Sequence, residues 1–385
     1  MKTELIKKFK EQFDKEPQQI FFCPGRVNLI GEHIDYNGGQ VMPCAITQGT
    51  YLAVSKTIDK QLRFRSLDFS ETADLHLQQS YSRTGKEWFN YPLGIINHFA
   101  LNNFPISGLD MLFTGDLPVG TGLSSSASVE VLTAFALDQL FGYNVSKVDL
   151  AILSKKVENE FIGVNCGIMD QFAVAMGKKD NAILLNCDTL DYEYLPFNTP
   201  DHFLVIINSN KQRKLVDSKY NERFTECGLA LKALKKELDV KSLCEIDINI
   251  FDAHRHLINN PVLEKRALHV ITESKRVEDA AQALKGNDFE KFGQLMYASH
   301  QSLKEQYEVT GKELDTIVDF CKTYDGCIGA RMTGAGFGGC AIALVEKNKF
   351  DNFSDELNNI YLKKTGILPT IFFTNAADGV RELPE

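Results

Sequence analysis

Residues 118–128 read Pro-Val-Gly-Thr-Gly-Leu-Ser-Ser-Ser-Ala-Ser, and they run directly into Val129, Leu132, Phe135, Leu137, Leu140 and Phe141, an apolar series of helical period that stops at Gly142. The stretch predicts a phosphate cradle that opens a helix. Gly120 and Gly122 carry no Cβ, so the backbone can come close to an anion. Thr121, Leu123 and the hydroxyl-bearing Ser124, Ser125 and Ser126 follow, where the unpaired N–H groups of a helix start point outward. The loop has neither the lysine and spacing of a Walker A site nor the spacing of a dinucleotide fingerprint. Taken alone, it also reads as a glycine turn before a serine-capped helix.

Upstream, between the apolar runs Ile20–Cys23 and Val41–Ala45, lies Pro24-Gly25-Arg26-Val27-Asn28-Leu29-Ile30-Gly31-Glu32-His33-Ile34-Asp35-Tyr36-Asn37-Gly38-Gly39. Arg26, Glu32, His33 and Asp35 are crowded into it. A polyhydroxyl ligand needs carboxylates to accept from neighbouring hydroxyls and donors such as histidine and arginine, and this segment supplies both. The alternative is a hairpin with solvated charges that closes on an Asn37-Gly38 turn. Downstream, a helix from about Asp149, with Leu150, Leu153, Val157 and Phe161 on one face, offers Glu158. A helix after Gly167 offers Asp170 in its first turn, within Asn165-Cys166-Gly167-Ile168-Met169-Asp170-Gln171. Magnesium takes one or two protein oxygens beside phosphate oxygens and water, so Ser126 with Glu158 suits it and leaves Asp170 for a nucleophile. Alternatively, Glu158 is a solvated charge beside Lys155 and Lys156, and Asp170 answers the helix dipole.

At 385 residues the chain suits two domains, each able to bury a core. Strands are expected at Thr50–Ser55, Leu62–Phe64, Leu109–Phe113 and Asn181–Asn186, with a helix around Leu93–Ala100. Asp188–Pro200 breaks the pattern with acidic residues and two prolines, which places the boundary between residues 1–195 and 196–385. The second half begins with a strand at Phe203–Asn208 and continues through helices near 217–237, 261–285, 288–304 and 312–323. It closes on strands around Met332-Thr-Gly-Ala-Gly-Phe-Gly-Gly-Cys, four glycines within six positions. Mixed strand and helix order in both halves predicts an α+β fold rather than a doubly wound sheet.

The net charge of −9 disfavours nucleic acid and anionic membranes as partners. Nine scattered cysteines without a Cys-x-x-Cys pair fit a reducing cytoplasm better than disulfides or zinc. The first residues alternate charge with Leu5, Ile6, Phe9 and Phe13, a surface helix rather than a signal peptide, and the longest apolar runs are strand-length.

These segments together resemble the galactokinase family of the GHMP kinase superfamily. Pro24–Gly39 is similar to the family's sugar signature, Pro118–Ser128 and Met332–Cys340 to the superfamily's second and third motifs, and Asn165–Gln171 to the segment with the catalytic aspartate. Further likeness runs through Arg266–Val270, Arg276–Val277, Phe292–Ser302 and Tyr307–Asp315, so it covers nearly the whole chain. The resemblance implies a two-domain α+β fold with mixed and antiparallel sheets, helices in both domains and the active site in the cleft between them. It implies ATP-dependent phosphorylation of the anomeric hydroxyl of D-galactose, with ATP and Mg2+ as cofactors, in a monomer or weak homo-oligomer. By position, Asp170 matches the general base and Arg26 the group that stabilises the transition state. Glu32, His33, Ile34, Asp35, Gly167 and Tyr220 match sugar-binding positions, Ser66 and Gly120–Ser126 nucleotide-binding positions, and Ser126 with Glu158 the magnesium ligands. Ile34 stands where the family more often has threonine. A kinase for N-acetylgalactosamine or another hexose, or a non-catalytic sugar-and-ATP-binding regulator, would share the same motifs.

Overall fold

Alternating apolar runs and helical periods fold into layered sheets and helices in a computed structural model that describes residues 1–118, 122–211 and 216–384. The first half contains α1 (Lys2–Phe13), β1 (Gln19–Asn28), β2 (Gln40–Val41), β3 (Pro43–Thr57), β4 (Gln61–Ser66), β5 (Ala73–His76), α2 (Asn90–Leu101), β6 (Gly108–Gly115), α3 (Ser125–Phe141), α4 (Lys147–Val157), α5 (Met169–Met176), β7 (Asn181–Asn186) and β8 (Tyr192–Pro196). The second half contains β9 (His202–Asn208), α6 (Val216–Leu234), α7 (Ile248–His254), α8 (Pro261–Lys285), α9 (Phe289–Ser302), α10 (Gly311–Thr323), β10 (Cys327–Thr333), β11 (Cys340–Glu346), α11 (Phe350–Thr365), β12 (Thr370–Thr374) and β13 (Arg381–Glu382).

One sheet runs β13-β1-β3-β6-β4-β5, antiparallel except where β4 lies parallel to β6. A second, β10-β11-β9-β12, is antiparallel throughout, and β2, β7 and β8 form a third. This mixture of sheets and helices is α+β. The apolar series read after the cradle becomes α3, which lies on β1 and β3 between α2, α4 and α5 and ends at Gly142 with φ +68, the left-handed cap expected of glycine. On the opposite face, Leu5 and Phe9 of α1 pack on Ile20, Ala53 and Leu112. In the second half α9 and α10 cover β10, and one apolar core continues across both halves, from Val131 to Leu344. The chain end returns to the first sheet, where β13 pairs with β1.

Three expectations differ from the structure. The runs Val41–Ala45 and Thr50–Ser55 belong largely to one long strand, β3, because the intervening Thr47, Gln48 and Gly49 keep the extended course. A Cβ at Gly49 would sit 2.2 Å from the Cys23 carbonyl, so the polar-looking break is a close strand contact. Within Asp188–Pro200, Tyr192–Pro196 forms β8, an edge strand whose charge and terminal proline hid it. The helix near 288–304 ends as a π turn over Leu303–Tyr307, as α4 does over Glu158–Ile162. Among the described residues no helix is long and apolar enough to cross a membrane.

Candidate active site

The site begins with a close approach of backbones. A Cβ on Gly25 would lie 2.7 Å from the Leu123 carbonyl, so glycine lets β1 run against the start of α3, and a register shift between Pro24 and Arg26 re-aims the strand there. Arg26 N–H donates to that Leu123 carbonyl at 3.2 Å, and its Nη1 donates to the carbonyl of Gly122 at 2.7 Å. The guanidinium then grips Asp170, on the first turn of α5, through Nε to Oδ1 at 2.9 Å and Nη2 to Oδ2 at 2.8 Å. Ser124 adds a third donor to this carboxylate, Oγ to Oδ2 at 2.7 Å. Its backbone is left-handed, with φ +62, which turns the hydroxyl inward instead of capping the helix. A carboxylate offers about four acceptor positions, so these bonds leave Asp170 room for another donor. Its side chain is 30% exposed, and Arg26 only 5%.

The segment after β1 folds over this pair. Glu32 is buried and accepts from the Gly334 N–H, from Asn28 Nδ2 and from Arg331 Nη1 at 3.1 Å; burial raises its pKa against the pull of Arg331 and Arg26. His33 has φ +62, and burial pushes its imidazole down to about 3. Ile34 is buried as core; its carbonyl accepts from the N–H groups of Asn37 and Gly39. Asp35 faces the site, its carboxyl pushed up to about 7 by burial and by the charge of Asp170. Gly167 lies so close that a Cβ there would fall 2.0 Å from Asp35 Oδ2. From α6, Tyr220 approaches with its ring 5.6 Å from His33, and burial, then the charge of Asp35, raises its phenol. Arg26, Asp35, Gly167, Asp170 and Tyr220 thus converge where β1, α5 and α6 meet.

Of the remaining positions, Gly120 and Thr121 lie outside the described residues. Leu123 is buried, Ser125 is exposed at the helix start, and Ser126 is half-buried and hydrogen-bonded to Glu158. Glu158 opens the π turn, accepts from Gln171 Nε2 at 2.5 Å, and is pushed up to about 7 by burial. Ser66 closes β4, where its Oγ accepts from the N–H groups of Asp68 and Phe69, whereas Glu158 lies near enough for the charge of Asp170 to raise its carboxyl.

Three roles escaped the sequence reading. Ser124, expected among the nucleotide-binding positions, also donates its hydroxyl to Asp170. Arg331, fully buried on β10, holds Glu32 from the other half of the chain. Glu130 is fully buried on α3 beside Glu158 and Gln171, and burial, then the charge of Glu158, drives its pKa well up. Its spacing of four from Ser126, in the middle of an apolar series, was the available signal.

Comparison with known proteins matches nearly the whole chain. A family model for the galactokinase galactose-binding signature matches residues 7–56, and models for the N-terminal and C-terminal domains of GHMP kinases match residues 90–178 and 280–363. A galactokinase of Staphylococcus carnosus is 47% identical over 99% of both chains, and one of Enterococcus faecalis is 47% identical over the full length of both. The crystal structure of Lactococcus lactis galactokinase complexed with galactose superimposes with a TM-score of 0.95 at 42% identity, covering 99% of each chain. A mevalonate kinase shares the fold alone, with a TM-score of 0.66 at 22% identity over 93% of this chain and 99% of that one. The chain belongs to the galactokinase family, within the GHMP kinases, and is an enzyme of ATP-dependent galactose phosphorylation.

Proposed function

We propose that Asp170 takes the proton of the anomeric hydroxyl of D-galactose as that oxygen attacks the γ-phosphorus of ATP, giving α-D-galactose 1-phosphate and ADP. The observation that carries this is the two-point Arg26–Asp170 pair, with Ser124 on the same carboxylate and an acceptor position left toward the pocket of Asp35 and Tyr220. A loose phosphoryl-transfer transition state asks little of a base because the hydroxyl proton need not leave early. Positioning does more: Arg26 joins Asp170 to the Gly122 carbonyl, so the base and the phosphate loop share one rigid contact. In this reading its guanidinium offsets the charge that builds on the transferring group. Asp35 and Tyr220 orient the sugar, and the N–H groups at the start of α3 receive the triphosphate.

The cation pocket fits Mg2+. Glu158, hydrogen-bonded to Ser126, and Glu130 beside it are two buried carboxyls whose crowding an ion would make electrostatically favourable. Ser126 and Glu158 would hold the ion. When bound, it supplies charge neutralisation on the β- and γ-phosphate oxygens. Glu158→Gln raises the Mg2+ concentration for half-maximal activity at least about 10-fold, read from a metal titration at saturating galactose. Gly167→Ala displaces the Asp35 carboxylate and lowers kcat/KM for galactose by about 10- to 100-fold, with little change in the KM for ATP. We place the protein in the cytoplasm as a monomer or weak homo-oligomer; its nine free cysteines support a reducing compartment. A sugar panel with ATP and magnesium, scored for phosphorylated product, tests the substrate: galactose gives the highest kcat/KM, and a clear preference for N-acetylgalactosamine or glucose overturns the assignment.

A further inference from the structure

Behind the sugar segment, four side chains from three separate parts of the chain form one line of hydrogen bonds. Cys227 Sγ on α6 lies 3.0 Å from the Tyr307 hydroxyl, which lies 2.8 Å from the Tyr36 hydroxyl, which lies 2.9 Å from His33 Nδ1. On its other side, His33 Nε2 lies 3.2 Å from the carbonyl of Ala335, in the glycine-rich loop between β10 and β11. The direction of this line is forced. A carbonyl only accepts, so Nε2 carries the proton. In a neutral ring Nδ1 then only accepts, so Tyr36 donates to it, Tyr307 donates to Tyr36, and Cys227 S–H donates to Tyr307.

The surroundings keep the ring neutral. Burial above all, then Arg223 and Arg331, disfavours a charge on it, and Tyr36, Tyr220 and Tyr307 enclose it at ring distances of 6.0, 5.6 and 4.9 Å. Glu32, the carboxylate adjacent in sequence, is bonded to Gly334, Asn28 and Arg331. The backbone at His33 is left-handed, a conformation that persists in a non-glycine residue only when its surroundings over-determine it. Its carbonyl is held by Asn37 Nδ2 at 2.9 Å, and the preceding carbonyl, that of Glu32, by His269 at 3.1 Å.

We propose that His33 is a positioning residue rather than a sugar ligand. Its two ring nitrogens clamp the Glu32–Asp35 turn between the Ala335 loop and a one-way Cys227–Tyr307–Tyr36 relay, and the relay sets how firmly Asp35 is presented to the sugar. This rests on the reading of Asp35 as a sugar-facing group. The relay joins α6, which carries Tyr220, to the segment that carries Asp35, so its rupture loosens galactose binding more than phosphoryl transfer.

The test combines nitrogen NMR of histidine-labelled full-length protein with steady-state kinetics. In the wild type, His33 shows a neutral ring protonated at Nε2 from about pH 5.5 to 8. Tyr36→Phe moves the Nδ1 resonance toward that of a nitrogen accepting no hydrogen bond, and Tyr307→Phe moves it the same way by less. Tyr36→Phe raises the galactose KM about 5- to 10-fold with kcat held within about 3-fold, and the Tyr36→Phe/Tyr307→Phe double variant is no worse, because a line broken twice is broken once. Cys227→Ala gives a smaller rise, about 2-fold, that Cys227→Ser restores. Protonation of His33 at Nδ1, titration of its ring within that pH range, an unmoved resonance in Tyr36→Phe, additive effects of the two tyrosine changes, or an unchanged galactose KM overturns the proposal. Wild-type turnover of galactose in the same assay reports on the sugar assignment separately, since the NMR readings need no sugar.

Discussion

Asp170→Asn lowers kcat by about 10²–10⁴ while galactose still binds, measured as turnover against calorimetric affinity on the same preparation. Two consequences of the substitution add. The amide cannot take the proton, and one of its two oxygens becomes an NH2 that can no longer accept from Arg26 or Ser124. Sugar affinity survives because Asp35, Tyr220 and the Gly167 backbone are held by other contacts, including the Asn37 and Gly39 bonds to the Ile34 carbonyl. Near-normal kcat in Asp170→Asn removes this residue from the proton-accepting role. A matched loss of affinity and turnover would instead make Asp170 a binding group.

Arg331→Met destabilises the protein by about 3–5 kcal/mol at neutral pH, because it takes from the buried Glu32 carboxylate the guanidinium bonded to it. The pH dependence has a definite sign. Burial already raises the Glu32 pKa, and removal of the guanidinium raises it further, so protonation relieves the unpaired charge as pH falls. Urea midpoints of the variant therefore lie closer to the wild type at about pH 5.5 than at about pH 8. Adding Glu32→Gln to Arg331→Met recovers part of the loss, as expected for partners in one contact. A loss that is the same at both pH values, or additive in the double variant, shows that the pair does not carry the stability.

Much of the architecture was legible because it depends on local periodicity. The apolar series after the cradle folds as α3, and Asn181–Asn186 is a strand with those bounds. Pro261 follows an Asn260 side chain that accepts from the N–H groups of Val262 and Leu263, and so starts α8 at the expected residue. The amphipathic pattern of α11, with Phe353, Leu357 and Tyr361 buried four residues apart, was equally readable and was passed over for strands. The less legible features depend on tertiary contact. The inward turn of Ser124 follows from a left-handed backbone at a serine, where propensity favours an ordinary cap. Arg331 meets Glu32 across 299 positions of sequence, and no spacing rule links them. Glu158 was readable as a residue type in a helix, but nothing in its spacing foretold the π turn that it opens.

The central claim is spatial: the sugar's anomeric oxygen sits between the Asp170 carboxylate and the γ-phosphoryl group at the start of α3. A crystal structure of the wild-type protein with galactose and a non-hydrolysable ATP analogue measures this directly. The account predicts the anomeric oxygen within hydrogen-bond distance of Asp170, about 3 Å or less, in line with the γ-phosphorus, and the triphosphate against the serine-bearing turn. A sugar that presents another hydroxyl to Asp170, or a triphosphate bound away from α3, contradicts it.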